Sequence, residues 1–145
     1  MSPNAVLALH LKPAKGELLP VESLQAEAGM GFVGDRHYGK PSRQVLFVSV
    51  SELKSLGYLP GDLREQVTVN LPGLQGLGPG TRLEFASGAA FEIEQDCAPC
   101  AHMAKTLDED PEDFKAKTAG RRGMLAIVVG SGPIRVGDLI TVANV

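Results

Sequence analysis

The sequence predicts a mainly β domain, an antiparallel barrel or sandwich carrying two or three short helices. Three observations lead there. Short runs of β-branched and aromatic residues recur along the chain, among them Gln44-Val45-Leu46-Phe47-Val48 and Met124-Leu125-Ala126-Ile127-Val128-Val129. Gly 17 and Pro 10 within 145 residues interrupt these runs often, which suits turns better than long helices. Helix signals are few, and they fall between strands without a repeating β-α-β rhythm.

Taken in order, Ala5-Val6-Leu7-Ala8-Leu9-His10-Leu11 is a first strand, stopped by Pro13 and Gly16. His10 is expected to be a half-buried strand residue with no role in chemistry. Leu19, Val21 and Leu24 fit a strand bent at Pro20. Gly29, Gly31 and Gly34 punctuate a loop that runs through Pro41, and residues 44–48 beyond it have the continuous apolar character of a buried strand. Ser49-Val50-Ser51-Glu52 matches a capping box, opening a helix to about Leu56 that Gly57 is placed to end in a left-handed conformation. Val67-Thr68-Val69 is a short strand. Residues 81–85 and 90–94 alternate around Ser87-Gly88 as a hairpin, with Leu83, Phe85, Phe91 and Ile93 facing one way. A second helix starts at Asp110 as N-cap, with Pro111 at its first position and Glu112 and Asp113 suited to the positive end of its dipole; Gly120 ends it. After the strand at 124–129, Ser131-Gly132-Pro133 reads as a turn. The chain then closes on residues 134–136, a turn at Gly137-Asp138, and residues 139–142.

The chain is the length of one domain, 1–145, with no linker or internal repeat. The formal net charge of -3 argues against a general nucleic-acid binder, though not against a local basic pocket. No apolar run is long enough to span a membrane, so no membrane partner is expected. The N-terminal segment lacks a basic region ahead of its apolar run, and with two cysteines the expected home is the reducing cytoplasm.

Cys97-Ala98-Pro99-Cys100 is the first candidate for chemistry. A structural zinc site needs four ligands, and His10, His37 and His102 lack the paired spacing that would complete one. A redox dithiol belongs between a strand and a helix, whereas this pair follows a strand in an antiparallel context. Two inert buried thiols are a further reading, since free cysteine packs as a small hydrophobe. Against that, Pro99 fixes a turn beside Cys100, and Asp96 and His102 flank the pair. A loop thiol beside a cation is better placed for thiolate chemistry than one in a strand core.

The second candidate is the loop Gly34-Asp35-Arg36-His37-Tyr38-Gly39-Lys40-Pro41-Ser42-Arg43-Gln44. Its glycines let backbone amides approach an anion, and Arg36 and Arg43 can grip phosphate with two donors each, with His37 and Lys40 nearby in sequence. A solvated loop without ligand is the competing reading. Arg121-Arg122-Gly123 and Arg64 are further basic positions ahead of strands, and on spacing alone they are solvated faces.

These pieces, in order, carry a resemblance. GDRHYGKPSRQVLF, a capped helix, LREQVTV, then LGPGTRL, CAPCAHM and GMLAIVVGSGPIRVGDLI resemble the MOSC family, named for the molybdenum cofactor sulfurase C-terminal domain and also found as stand-alone bacterial proteins. The likeness runs from about Gly29 to Val142. It implies a β-barrel, so the fold expectation becomes an antiparallel MOSC-type barrel with two or three short helices. It also implies a cysteine that binds molybdenum or carries sulfur, matched here by Cys100, with Cys97 an added cysteine of some versions. The cofactor so implied is molybdenum cofactor, a molybdopterin with a phosphate that Arg43 and Arg64 would hold, supported by Lys40, His37 and Arg122. An association with pyridoxal phosphate also comes with the family. The chain departs at Gln66, where many relatives place an asparagine; both are amides, so a cofactor contact by Gln66 is expected at a different reach.

A soft thiolate suits both a soft metal and persulfide exchange, and neighbouring arginines would lower its pKa. The resemblance therefore implies a metal-sulfur carrier, or the terminal unit of a reductase for N-hydroxylated compounds fed by an electron-donor protein. The rivals are a metal-free persulfide carrier loaded by a cysteine desulfurase, and a Cys97–Cys100 redox regulator.

Overall fold

The computed structural model describes residues 4–98 and 101–144. Cys100, the cysteine favoured by the sequence, lies outside the described residues.

The described strands are β1 (Ala5–Leu11), β2 (Leu19–Val21), β3 (Ser23–Glu27), β4 (Gly31–Phe32), β5 (Val45–Ser49), β6 (Val67–Asn70), β7 (Arg82–Glu84), β8 (Ala90–Asp96), β9 (Met124–Gly130), β10 (Gly132–Arg135) and β11 (Thr141–Ala143). The helices are α1 (Val50–Leu56), α2 (Ala101–Thr106) and α3 (Pro111–Thr118). Mainly β with three short helices is thus the observed class. An eight-stranded sheet runs β11-β7-β8-β9-β5-β6-β1-β2, and a three-stranded sheet runs β10-β3-β4.

Strand β5 organises the layers. All five of its residues are buried, because alternate side chains serve two different cores. Val45 and Phe47 join the main core with Phe32, Phe91 and Ile134, where Phe47 meets Phe91 edge-on at 5.1 Å between centroids. Leu46 and Val48 join a second cluster with Leu53, Cys97, Met103, Phe114 and Leu125, the layer formed under the helices.

Two expectations need correction. The predicted closed barrel is not formed: among the described residues the sheet ends at β11 and β2. The physical reason lies in β1, which gives one edge to β6 and the other, over residues 9–11, to β2. An isolated bridge between Ala5 and Leu139, with hydrogen bonds from Ile140 N to Asn4 O at 2.6 Å, Val6 N to Asp138 O at 2.9 Å and Gly137 N to Val6 O at 2.8 Å, ties the segment before β11 back to β1 without a continuous ladder. Nor is the sheet wholly antiparallel. β5 and β6 pair in parallel, with α1 in the connection between them.

Smaller differences follow from side-chain competition. Ser49 is the N-cap of α1, but it makes no capping bond; its Oγ lies 2.9 Å from Ser51 Oγ, and Glu52 instead accepts from Arg121 Nε at 2.8 Å. Gly132-Pro133, read as a turn, begins β10, where Pro133 stands opposite Gln25. The Gly57 stop (φ 83°), the Ser87-Gly88 hairpin and the Asp110 cap form as the sequence predicts.

Candidate functional site

A cavity of about 270 Å³ opens where the segments carrying Lys12, Arg36 to Arg43, Arg64, Cys97 and Arg122 meet the helix-side face of the sheet. Its lining divides by chemistry. Leu46 of β5, Leu125 of β9, Met103 of α2 and Cys97 supply apolar and sulfur surface; Lys12, Arg36, Arg43, Arg64 and Arg122 supply cations, with His37 beside them. Among the described residues, no carboxylate lines the cavity.

The nearby carboxylate, Asp35, is buried and committed elsewhere. Its oxygens accept from the backbone N–H of Lys12 at 2.9 Å and of His37 at 3.0 Å, and from Gln66 Nε2 at 3.3 Å. It therefore fixes the shape of the cationic loops while leaving their side-chain charges uncompensated by direct contact.

Arg122 is the most telling of these cations. It is 6% exposed, and its Nε and Nη1 are buried without any hydrogen-bond partner. Such an atom normally costs 1–3 kcal/mol or more, roughly, unless something else satisfies it. The adjacent Arg121 does the opposite, pairing with Glu52 at 2.8 Å and tying the loop to α1. Gly123 sets the pair: it has φ 112°, and a Cβ there would lie 2.6 Å from Phe47 O. The loop can sit against β5 only because this residue has no side chain. Gly123 O in turn accepts from Cys97 N at 2.8 Å, so one glycine positions both the arginine and the thiol.

Arg43 and Arg64 are two of four non-glycine residues with positive φ among those described, at 56° and 61°. Held left-handed conformations in large residues cost about 1–3 kcal/mol each and concentrate at ligand sites. Here Arg43 N is anchored to Glu94 Oε1 at 2.8 Å, and Arg64 Nη2 donates to Glu17 O at 3.1 Å.

Burial and the crowd of like charges perturb the amines. Lys12 is brought down to about 8, first by burial and then by Arg64, Arg122 and Arg36, against the pull of Asp35. His37 is brought down to about 4 by burial, Lys12 and Lys40, so its ring is neutral at pH 7. Lys40 itself does not line the cavity; its Nζ lies 2.9 Å from His37 Nδ1, which leaves Nε2 as the ring's N–H. Glu65 is fully buried; burial raises its carboxyl, against its hydrogen bonds and the Arg122 charge, while Oε2 accepts from Gly61 N and Thr68 Oγ1 and Oε1 has no partner among the described residues.

The structure thus gathers Arg43, Arg64, His37, Arg122 and Cys97 from four separate stretches of sequence, and Arg36 joins them from the basic loop. Gln66 also lines the cavity, but its amide is engaged on both ends: Oε1 accepts from Leu46 N at 2.9 Å, and Nε2 donates to Gln44 O and Asp35. Lys12 was missed by sequence reasoning, because one lysine after an apolar strand carries no motif. Cys97, treated as the added cysteine, is a buried free thiol in the cavity wall. Among the described residues, no three His, Cys, Asp or Glu side chains converge as a metal-holding cluster. No helix among them is long and apolar enough to cross a membrane.

The described residues thus define a small β-rich domain with a cationic, sulfur-walled cavity at the loop end of its sheet. Residues 34–141 match the model of the MOSC domain, and the chain belongs to the MOSC family. It is 30% identical over 115 residues to YuaD of Bacillus subtilis (strain 168), a protein whose name offers it as a candidate for metal-sulfur cluster biosynthesis. That alignment covers 69% of this chain and 60% of the relative, less than two thirds of the relative's length. The crystal structure of the YUAD protein from Bacillus subtilis superposes with a TM-score of 0.84 at 26% identity, over 97% of this chain and 96% of that one. YiiM from Escherichia coli shares the fold at a TM-score of 0.72 and 14% identity, over 99% of this chain and 71% of that one.

Proposed function

We propose that this MOSC domain binds a phosphate-bearing molybdenum cofactor in the cationic cavity, with its cysteine loop at the metal-sulfur end. The observation that carries the reading is Arg122, a buried guanidinium with two unpartnered nitrogens in a cavity without carboxylates among the described residues. An anion is the one kind of ligand that such a group favours. The apolar lining of Leu46, Met103 and Leu125 suits a flat heterocycle attached to that anion. Arg122, Arg43, Arg64 and Lys12 would hold the phosphate, while neutral His37 donates from Nε2. When bound, the group supplies a redox-active metal centre; the protein's part is to orient it, keep water from the apolar side and offer a thiolate. Cys100 is the sulfur ligand by family position, and an electron-donor protein is the partner this reading requires.

Reconstitution with the cofactor tests it, with retained molybdenum and pterin measured separately. Wild type should retain both, Arg122→Gln should lose both, and Cys100→Ser should lose molybdenum preferentially. Equal molybdenum on wild type and Cys100→Ser removes the metal-ligand role; equal pterin on wild type and Arg122→Gln removes the pocket.

Metal-free sulfur carriage is the second reading, supported by Cys97 in the cavity wall and by the metal-sulfur name of the relative. A thiolate of this chain would attack the terminal sulfur of a desulfurase persulfide and take it, and the desulfurase thiolate would leave. A mass gain of one sulfur, located on Cys97 or Cys100 after incubation with a cysteine desulfurase and cysteine, is the expected result. No gain on either cysteine ends this reading.

A further inference from the structure

A second basic cavity adjoins the first. It is lined by Lys15, Gly16, Arg36, Arg64, His102 and Thr106, with a volume of about 460 Å³. Arg36 and Arg64 line both cavities, so these two residues stand between them. A guanidinium has donors on more than one edge and can grip an anion on either side of itself. Two anions held this way must be near neighbours. Two separate ligands there would repel one another, whereas a diphosphate joins two anionic centres through one bridging oxygen.

We propose that the two cavities are adjoining subsites for a single diphosphate-bearing ligand, of the class of nucleoside diphosphates and pyrophosphate-linked dinucleotides. The inner phosphate meets Arg122, Arg43 and Lys12. The outer phosphate meets Lys15 and His102, and Arg36 and Arg64 bridge the two; the Thr106 hydroxyl donates to His102 O at 3.0 Å and steadies that end of α2. Among the described residues, neither cavity has a carboxylate in its lining, which removes the usual competitor for these cations. Arg64 is also held in its left-handed conformation with Nη2 on Glu17 O, a brace that fixes this residue before any ligand arrives. The proposal rests on the anion-binding reading of the inner cavity and extends it.

Calorimetric titration of the full chain with inorganic phosphate and with inorganic pyrophosphate, free of divalent cations, tests it. Pyrophosphate should bind wild type at least about tenfold more tightly than phosphate, the worth of one added charge-assisted contact. The double variant Lys15→Ala, His102→Ala changes two exposed side chains; it should lose about that tenfold for pyrophosphate while keeping wild-type affinity for phosphate. Arg43→Gly keeps the left-handed backbone and should weaken both anions. Lys54→Ala, on exposed surface of α1, controls for diffuse charge and should change neither. The proposal is overturned if the double variant weakens phosphate and pyrophosphate equally, if it leaves pyrophosphate untouched, or if Lys54→Ala reproduces its effect. If wild type binds neither anion, the inner-cavity reading fails as well, an outcome distinct from the other three.

Discussion

Lys12 and Arg122 are each less than a tenth exposed, yet neither ammonium nor guanidinium is paired with a carboxylate among the described residues. Two predictions belong to these side chains. Because Lys12 sits at about 8 in the folded chain against 10.5 in the unfolded one, it carries its charge below pH 8 and loses it above. Between those two values the unfolded chain holds the extra proton, so this residue's burial penalises folding below pH 8 and ceases to do so as pH rises toward 10.5. Anion affinity runs the other way. Sulfate, whose own charge is constant over this range, should bind about tenfold more weakly at pH 9 than at pH 7, and Lys12→Met should flatten that profile; a steep profile in Lys12→Met would assign the titration elsewhere. Arg122→Met exchanges a buried charge with two unpartnered nitrogens for apolar volume, so its thermal midpoint should equal or exceed that of wild type while sulfate affinity falls about 10- to 100-fold. A large loss of stability in Arg122→Met would show the guanidinium to be structural. Little of this was legible in the sequence. Arg121 and Arg122 are indistinguishable there, and only the approach of Gly123 to Phe47 O sends one toward Glu52 and the other into the cavity.

At the scale of elements, the sequence was most informative where periodicity reports burial directly. The continuous apolar run of β5 anticipated a strand buried on both faces, and the alternation around Ser87-Gly88 anticipated the β7–β8 hairpin, in which Leu83 stands opposite Phe91. It was least informative where a side chain had two partners to choose from, as with Glu52, or where pairing is non-local, as in the parallel match of Phe47 with Val67. The site lies at these junctions. Gln44 is one of them: it accepts from Val128 N at 2.9 Å and donates to Gly29 O and Lys40 O, stapling both ends of the glycine-rich loop to β9. Gln44→Leu strands three backbone groups and should destabilise the fold by about 2–4 kcal/mol in denaturant unfolding. Gly123→Ala combines positive φ with overlap on Phe47 O and should cost about 3 kcal/mol. An unchanged midpoint in Gly123→Ala would contradict the packing.

For the whole molecule, charge is segregated: the chain is net -3, yet five lysine or arginine side chains surround one cavity of about 270 Å³. Composition left room for a local basic pocket and could not show that cations from residues 12 to 122 converge, because the convergence depends on the order of strands in the sheet. The open sheet, which family likeness drew as a closed barrel, leaves the loop end of β1, β5 and β9 to form this cavity. Repulsion among those cations is a standing cost to the folded state, and an anion that occupies the cavity removes it. Ligand binding then adds stability as RT ln(1 + [L]/Kd), about 2.7 kcal/mol at a hundredfold excess over Kd, which for a domain of this size is about 5–10 °C in thermal midpoint. Sulfate also stabilises proteins in general by exclusion from their surface, an effect that single substitutions leave intact. The specific increment is therefore the difference between wild type and Arg43→Gly, measured by calorimetry in sulfate and in chloride at equal ionic strength. Wild type should gain the larger shift in sulfate, and the two proteins should respond alike to chloride. Identical sulfate shifts in both would mean that the cavity holds no anion at all.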